Sequence, residues 1–120
     1  MTRLEEIRMF EIMNECERID IDKIVNWLNG LDCKYLAVKH DKDTPRAPHY
    51  HIFVKLENKR SISDISKFCG VPKNFIQKIK GWKNALGYAF HFTSGAIDDG
   101  KHIYDESAII FSRDIDIFPL

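Results

Sequence analysis

The stretch that most constrains this chain is an alternating run, Pro48-His49-Tyr50-His51-Ile52-Phe53-Val54-Lys55-Leu56. If it is a strand, alternate side chains point to opposite faces of a sheet. Tyr50, Ile52, Val54 and Leu56 then form one apolar row, and His49 and His51 project together from the other face. Such a strand needs a paired neighbour for its backbone and a second layer for its apolar row. It also carries two imidazoles on the back of that row.

The neighbours can be read outward from it. Residues 34–40 form a second apolar run, and residues 41–48, with two prolines and four charges, form the loop between the two. The pair reads as an antiparallel hairpin whose second strand spans residues 49–56. Upstream, residues 8–13 read as a first strand. Asp20 or Asp22 can cap a helix running to about Leu28, with Ile21, Ile24, Val25, Leu28 and Leu31 as its apolar stripe and Gly30 as its stop. Downstream, Ser61 or Ser63 can cap a second helix with Ile62, Ile65 and Phe68 turned inward, ended by residues 70–72. Residues 75–80 roughly alternate and read as a fourth strand. Residues 85–91 read as a short third helix, weakened by Gly87, and residues 109–111 are a final apolar segment.

The order is β-α-β-β-α-β plus a helical appendix, which predicts an α+β class with ferredoxin-like order. It implies a central antiparallel sheet with its two main helices on one face. The other sheet face then needs a further cover or is a working surface. The length of 120 residues suits one domain spanning residues 1–120 with a sizeable core.

Net charge is zero, which argues at first against a nucleic-acid partner, but the distribution is uneven. Residues 55–83 carry eight bases against two acids, whereas residues 1–23 carry seven acids against four bases and residues 98–116 six against two. A basic middle between acidic ends can be an electrostatic footprint for phosphates, or simply a set of lysines solvating a helix and a strand. Cys16, Cys33 and Cys69 are odd in number, form no C-x-x-C pair, and read as reduced thiols of a cytosolic protein. No apolar run approaches the ~20 residues of a membrane span, and the first residues lack the apolar segment of a secretory signal.

The histidines invite a metal reading. His40 ends the partner strand, across the hairpin from His49, and Asp43 follows three residues later. Three imidazoles and a carboxylate at the mouth of a hairpin suit Mn, Mg, Zn, Co or Ni rather than a soft metal. A histidine pair two residues apart also arises by chance; the other arm of the hairpin gives this one its weight. Tyr88 and His91 are about one helical turn apart and share a face if their segment is helical. A tyrosine with an ordinary pKa of ~10 is a poor nucleophile at neutral pH, and a half-buried core tyrosine is the plainer reading of Tyr88 taken alone.

Taken together, these blocks resemble the HUH endonucleases. They are His40-Asp41-Lys42-Asp43, then His49-Tyr50-His51-Ile52, then Tyr88-Ala89-Phe90-His91 with Ala96-Ile97 and Lys101-His102-Ile103-Tyr104-Asp105 downstream. Within that superfamily the chain is similar to the replication initiators of small rolling-circle bacterial plasmids. The resemblance runs from the first strand to about Ile110. Ala89 and Phe90 depart from the bulky residue and threonine frequent in the family, which touches local packing only.

The resemblance implies roles. His49, His51, His40 and Asp43 match the ligands of a divalent ion, Mn2+ or Mg2+. Tyr88 matches the nucleophile, on a short helix, that cuts a plasmid origin and becomes linked to the 5′-phosphate, leaving a 3′-hydroxyl for a polymerase. Reverse strand transfer closes the product without ATP. Tyr50 faces the core and takes no catalytic part, and Tyr104 is a packing residue. The implied partner is single-stranded or hairpin-loop origin DNA with adjacent duplex. Lys55, Lys59, Arg60, Lys73, Lys78 and Lys80 are candidates for phosphate contacts, and Trp82 and Phe53 for base stacking or, more simply, for the core. A bacterial cytoplasmic protein with no membrane association, monomeric as this domain, is implied, without the oligomerisation or helicase domain that often follows in such initiators.

Two other classes stay open on the residues. The same β-α-β-β-α-β order serves non-catalytic single-strand binders whose sheet face stacks bases, with His49 and His51 as bystanders. A small metal-dependent hydrolase using activated water would form no adduct with DNA.

Overall fold

The computed structural model describes residues 6–41, 47–89 and 109–113, with side chains except at positions 84 and 87–89. Strand β1 spans Glu6–Glu15, helix α1 Ile21–Asn29, β2 Cys33–His40, β3 His49–Ser61, α2 Ile62–Cys69, β4 Ile76–Lys78, α3 Trp82–Ala89 and β5 Ile109–Arg113. The strands form one sheet in the order β4-β1-β3-β2-β5, and every pairing is antiparallel. Two split β-α-β units interleave: β3 lies between β1 and β2, and β1 lies between β3 and β4. The fold is α+β and ferredoxin-like in its first four strands, as the sequence order predicts. The final apolar segment adds a fifth strand on the β2 edge.

Period-2 alternation divides the sheet into two faces. Phe10 and Ile12 of β1, Tyr35 and Ala37 of β2, and Ile52, Val54 and Leu56 of β3 pack with Ile24, Val25 and Leu28 of α1 and Ile65 and Cys69 of α2. The opposite face carries Leu36, Val38 and Phe53, covered by Ile79 and by Leu86 of α3. This face therefore has its own cover, provided by the third helix.

Local chemistry explains the helix ends. The Asp20 carboxylate accepts from the Lys23 amide at 3.1 Å, and the Ser61 hydroxyl accepts from the Asp64 amide at 3.1 Å, each satisfying one of the orphan amides of a first turn. Gly70 closes α2 in the left-handed region, with φ 70°, where a side chain would clash with the backbone.

Two strand limits and one helix face differ from the sequence reading, and the third helix begins at Trp82 instead of residue 85. Strand β3 runs to Ser61 instead of ending at Leu56, because its pairing with β1 resumes after a break. Residue Ile7 pairs with Arg60 and Met9 with Lys55, so Arg8 alone faces the four residues 56–59. The fourth strand shrinks to Ile76–Lys78, with Lys73–Phe75 in a 3-10 turn before it. On α2, Phe68 is not inward: it is 42% exposed and stacks on Trp27 with ring centroids 5.5 Å apart. Cys69 takes the buried position, because Ile62, Ile65 and Cys69 follow the i, i+3, i+7 stripe that faces the sheet. Among the described residues no helix is long and apolar enough to cross a membrane.

Candidate metal centre

Register brings the histidines together. In the β2–β3 ladder His40 pairs with His49 and Val38 with His51. Residues 36, 38 and 40 of β2 and 49, 51 and 53 of β3 occupy the face away from α1 and α2. The three rings form a tight group, with centroids 5.3 Å apart for His40 and His49, 4.4 Å for His40 and His51, and 5.0 Å for His49 and His51. One nitrogen from each ring lies within 4.8 Å of the others. All three are buried, at 1%, 3% and 7% exposure for His40, His49 and His51.

Two of the rings are oriented by groups that can only accept hydrogen bonds. His49 Nδ1 donates to the Ala47 carbonyl at 2.8 Å, and His51 Nδ1 donates to the Glu11 carboxylate at 2.9 Å. A neutral imidazole carries one proton, so a donor at Nδ1 leaves the lone pair on Nε2. His49 Nε2 is buried. A carboxylate behind a histidine and a carbonyl behind another are the outer partners that usually accompany a ligated imidazole. The residues present therefore fit a divalent ion of the borderline, nitrogen-accepting kind. The cluster belongs to the histidine–hydrophobe–histidine strand and its hairpin partner, as the alternation implies.

The centre is bordered by space. His49 lines a cavity of about 450 Å³ with Met13, Asn14, Glu15, Arg18 and Phe75. A second cavity, of about 300 Å³, is lined by Glu11, Phe53, Gln77, Lys80 and Ala85 among others. The His51 ring lies parallel to Phe53, 6.1 Å between centroids and 10° between planes. Phe53 is in turn part of the cluster under α3. The helix that carries Tyr88 in its backbone is thus docked on the sheet face that carries the histidines.

The other nominated residues separate. Asp43, His91 and Tyr104 lie outside the described residues, and the Tyr88 side chain is likewise undescribed. Tyr50 packs against the core beneath α1 and α2, on the face opposite its two histidine neighbours, as the alternation predicts. Burial, and next the neighbouring Cys16, push its phenol above the usual tyrosine range. Phe53 is buried and Trp82 packs beside it, so the core reading of both holds. Lys59, Lys73, Lys78 and Lys80 are exposed and Lys55 and Arg60 half-buried. They do not form one patch: the Arg60 guanidinium sits 6.0 Å from the Phe68 ring, whereas Lys55, Lys59 and Lys78 line a common cavity. Glu11 escaped the sequence reading. Its one signal was parity, since Met9, Glu11 and Met13 alternate with the core residues of β1 and so share the histidines' face.

No family model matches the sequence. The chain is 34% identical over 70 residues to a protein named "Replication protein" from onion yellows phytoplasma (strain OY-M). The match covers 58% of this chain and 18% of that protein, so the chain spans under a fifth of that relative's length.

Proposed function

We propose that this chain is a replication protein's nicking domain of the HUH type, which cuts one DNA strand by attack of Tyr88 on a phosphodiester. The observation that carries the reading is the buried His40–His49–His51 group, with the lone pairs of His51 and His49 set by Glu11 and Ala47, on the sheet face over which the Tyr88 helix packs. The partial similarity to a phytoplasma replication protein supports a role in replication. A divalent ion held there by the three histidines with Asp43 as a fourth donor, Mn2+ in preference to the harder, oxygen-seeking Mg2+, would supply positive charge to the phosphate oxygens as negative charge develops on them.

The chain's own residues do the rest. The Tyr88 oxygen forms a bond to phosphorus while the bond to the 3′ oxygen of the upstream nucleotide breaks. The phenolic proton is lost and the departing 3′ oxygen gains one, so charge balances and a 5′-phosphotyrosine and a free 3′-hydroxyl result. The phosphodiester bond energy is kept in the new linkage, so the 3′-hydroxyl of a finished strand can reverse the step. Glu11 and the Ala47 carbonyl keep two imidazoles in one tautomer and orientation. Leu86, packed over Phe53 and Val38, holds α3 against the sheet.

The test is to incubate the protein with Mn2+ and a random single-stranded oligonucleotide library, digest the DNA, and sequence what stays on the protein. A recurrent short sequence attached 5′ to tyrosine is the expected result. Cleavage that leaves no DNA on the protein would favour hydrolysis by activated water, and binding without cleavage would favour a plain single-strand binder.

A further inference from the structure

We infer that the break in the β1–β3 ladder is a phosphate-binding cradle, built by Arg8, Lys55, Lys59 and Lys78, for the backbone of a DNA strand running to the histidine group. The inference rests on the nicking reading above and names the part of the sheet that would hold the strand away from the cut.

The break itself does the building. Between the pairs Ile7–Arg60 and Met9–Lys55, β1 contributes Arg8 alone and β3 contributes residues 56–59. In a regular strand Lys55 and Lys59 would lie roughly 13 Å apart along one face. Here the register breaks between them, and both lysines line one cavity of about 420 Å³ with Arg8 and, from the edge strand, Lys78. Bulges of this kind re-aim side chains and often flank functional sites. Arg8 is held in place, because its Nε donates to the Leu56 carbonyl at 3.2 Å. A guanidinium anchored by Nε presents its planar fork, which suits phosphate oxygens.

Charge singles out this cavity. Its lining has four bases and one acid, Glu6. The adjoining cavity of about 510 Å³ shares Arg8 and Lys55, but there Asp32 and Glu57 offset half of the four bases. Positive charge gathered at one end of a sheet attracts phosphates.

Position completes the argument. Lys55 lies on the same strand face as His51, four residues along the regular part of β3. That is roughly 13 Å by strand rise. A phosphate in the cradle would therefore belong to a nucleotide a few positions from the one being cut. The other nominated bases lie outside this cavity: Arg60 sits beside the Phe68 ring, Lys73 lies in the 3-10 turn before β4, and Lys80 lines the separate cavity beside Glu11.

The experiment is fluorescence anisotropy of the full chain with a labelled random-sequence single-stranded oligonucleotide, read as log Kd against log salt. Each lost phosphate contact on a single strand reduces the slope by ~0.7. The triple variant Lys55→Gln/Lys59→Gln/Lys78→Gln should lower it by about 2, and Lys59→Gln alone by about 0.7. Lys67→Gln, on α2 over the opposite sheet face, should leave it unchanged, and Mn2+ binding by calorimetry should be the same in all of them. A triple variant that keeps the wild-type slope overturns the cradle and leaves the nicking reading standing. Wild-type protein that binds the oligonucleotide without salt dependence, or not at all, overturns both.

Discussion

At the scale of single residues, the centre depends on a pair that is 40 positions apart in sequence, His51 and Glu11. Glu11 holds the imidazole from behind, and loss of such a partner typically weakens metal affinity by ~10–100-fold. Glu11→Ala should therefore bind Mn2+ that much more weakly in calorimetry, and unchanged affinity would remove Glu11 from the centre. A second prediction concerns thiols. Burial pushes the Cys69 thiol up to about 12, so almost none of it is thiolate at pH 8. Cys33 is buried too and donates to the Leu28 carbonyl, while Cys16 is only half-buried. Native protein treated with a thiol reagent at pH 8 should label at Cys16 and resist at Cys33 and Cys69; rapid labelling of Cys69 would contradict the packing. The histidines were legible because period-2 alternation fixes which face each shares. Glu11 was not, because one acid among seven in the first 23 residues gains its meaning only from cross-strand register. The Ala47 carbonyl is backbone and leaves no trace in residue type.

At the scale of elements, the helix ends were readable from side-chain chemistry, and the long strand was not. Asp20, Ser61 and Gly70 sit where capping and left-handed geometry want them. Strand β3 continues past Leu56 through Glu57-Asn58-Lys59-Arg60, where alternation fails and the composition reads as a loop. Only the resumed pairing of Ile7 with Arg60 makes it strand again. Phe68 shows the converse error: an aromatic residue next to a helical stripe reads as core, but one position of rotation turns it outward onto Trp27. Gly70 gives a direct test. Beyond its own chain neighbours a Cβ there would meet Lys23 Nζ at 3.6 Å, an ordinary contact, but φ is +70°. The cost of Gly70→Ala should then be backbone strain of about 1–2 kcal/mol. Asn, which tolerates this region better, should cost less. Equal urea midpoints for the wild-type and Ala proteins would contradict that geometry.

At the scale of the whole molecule, an interleaved sheet with a helical layer on one face frees the other for a site, and α3 closes part of that second face. The element order was enough to give this architecture, because two split β-α-β units sharing one sheet have few ways to connect. It did not reveal the added edge strand Ile109–Arg113, since a short apolar segment has no period to read. Several buried groups make stability fall on the alkaline side. Burial raises the Cys69 thiol and the Tyr35 and Tyr50 phenols. The unfolded chain therefore releases these protons at lower pH than the folded one. The stability they contribute is complete below about pH 9 and is lost as pH rises through the folded values. The urea midpoint should drop between pH 9 and 12; a flat midpoint would show that these groups are not buried as described.

The most direct measurement of the central claim is the covalent state of the protein after reaction. Wild-type chain, Tyr88→Phe chain and wild-type chain with EDTA are each incubated with Mn2+-containing buffer and the random single-stranded library, then denatured and weighed by intact-mass spectrometry. The account predicts a DNA-mass adduct in the first sample alone, with oligonucleotide binding retained in all three before denaturation. An adduct that survives Tyr88→Phe, or cleaved DNA with no adduct in the wild type, would contradict it.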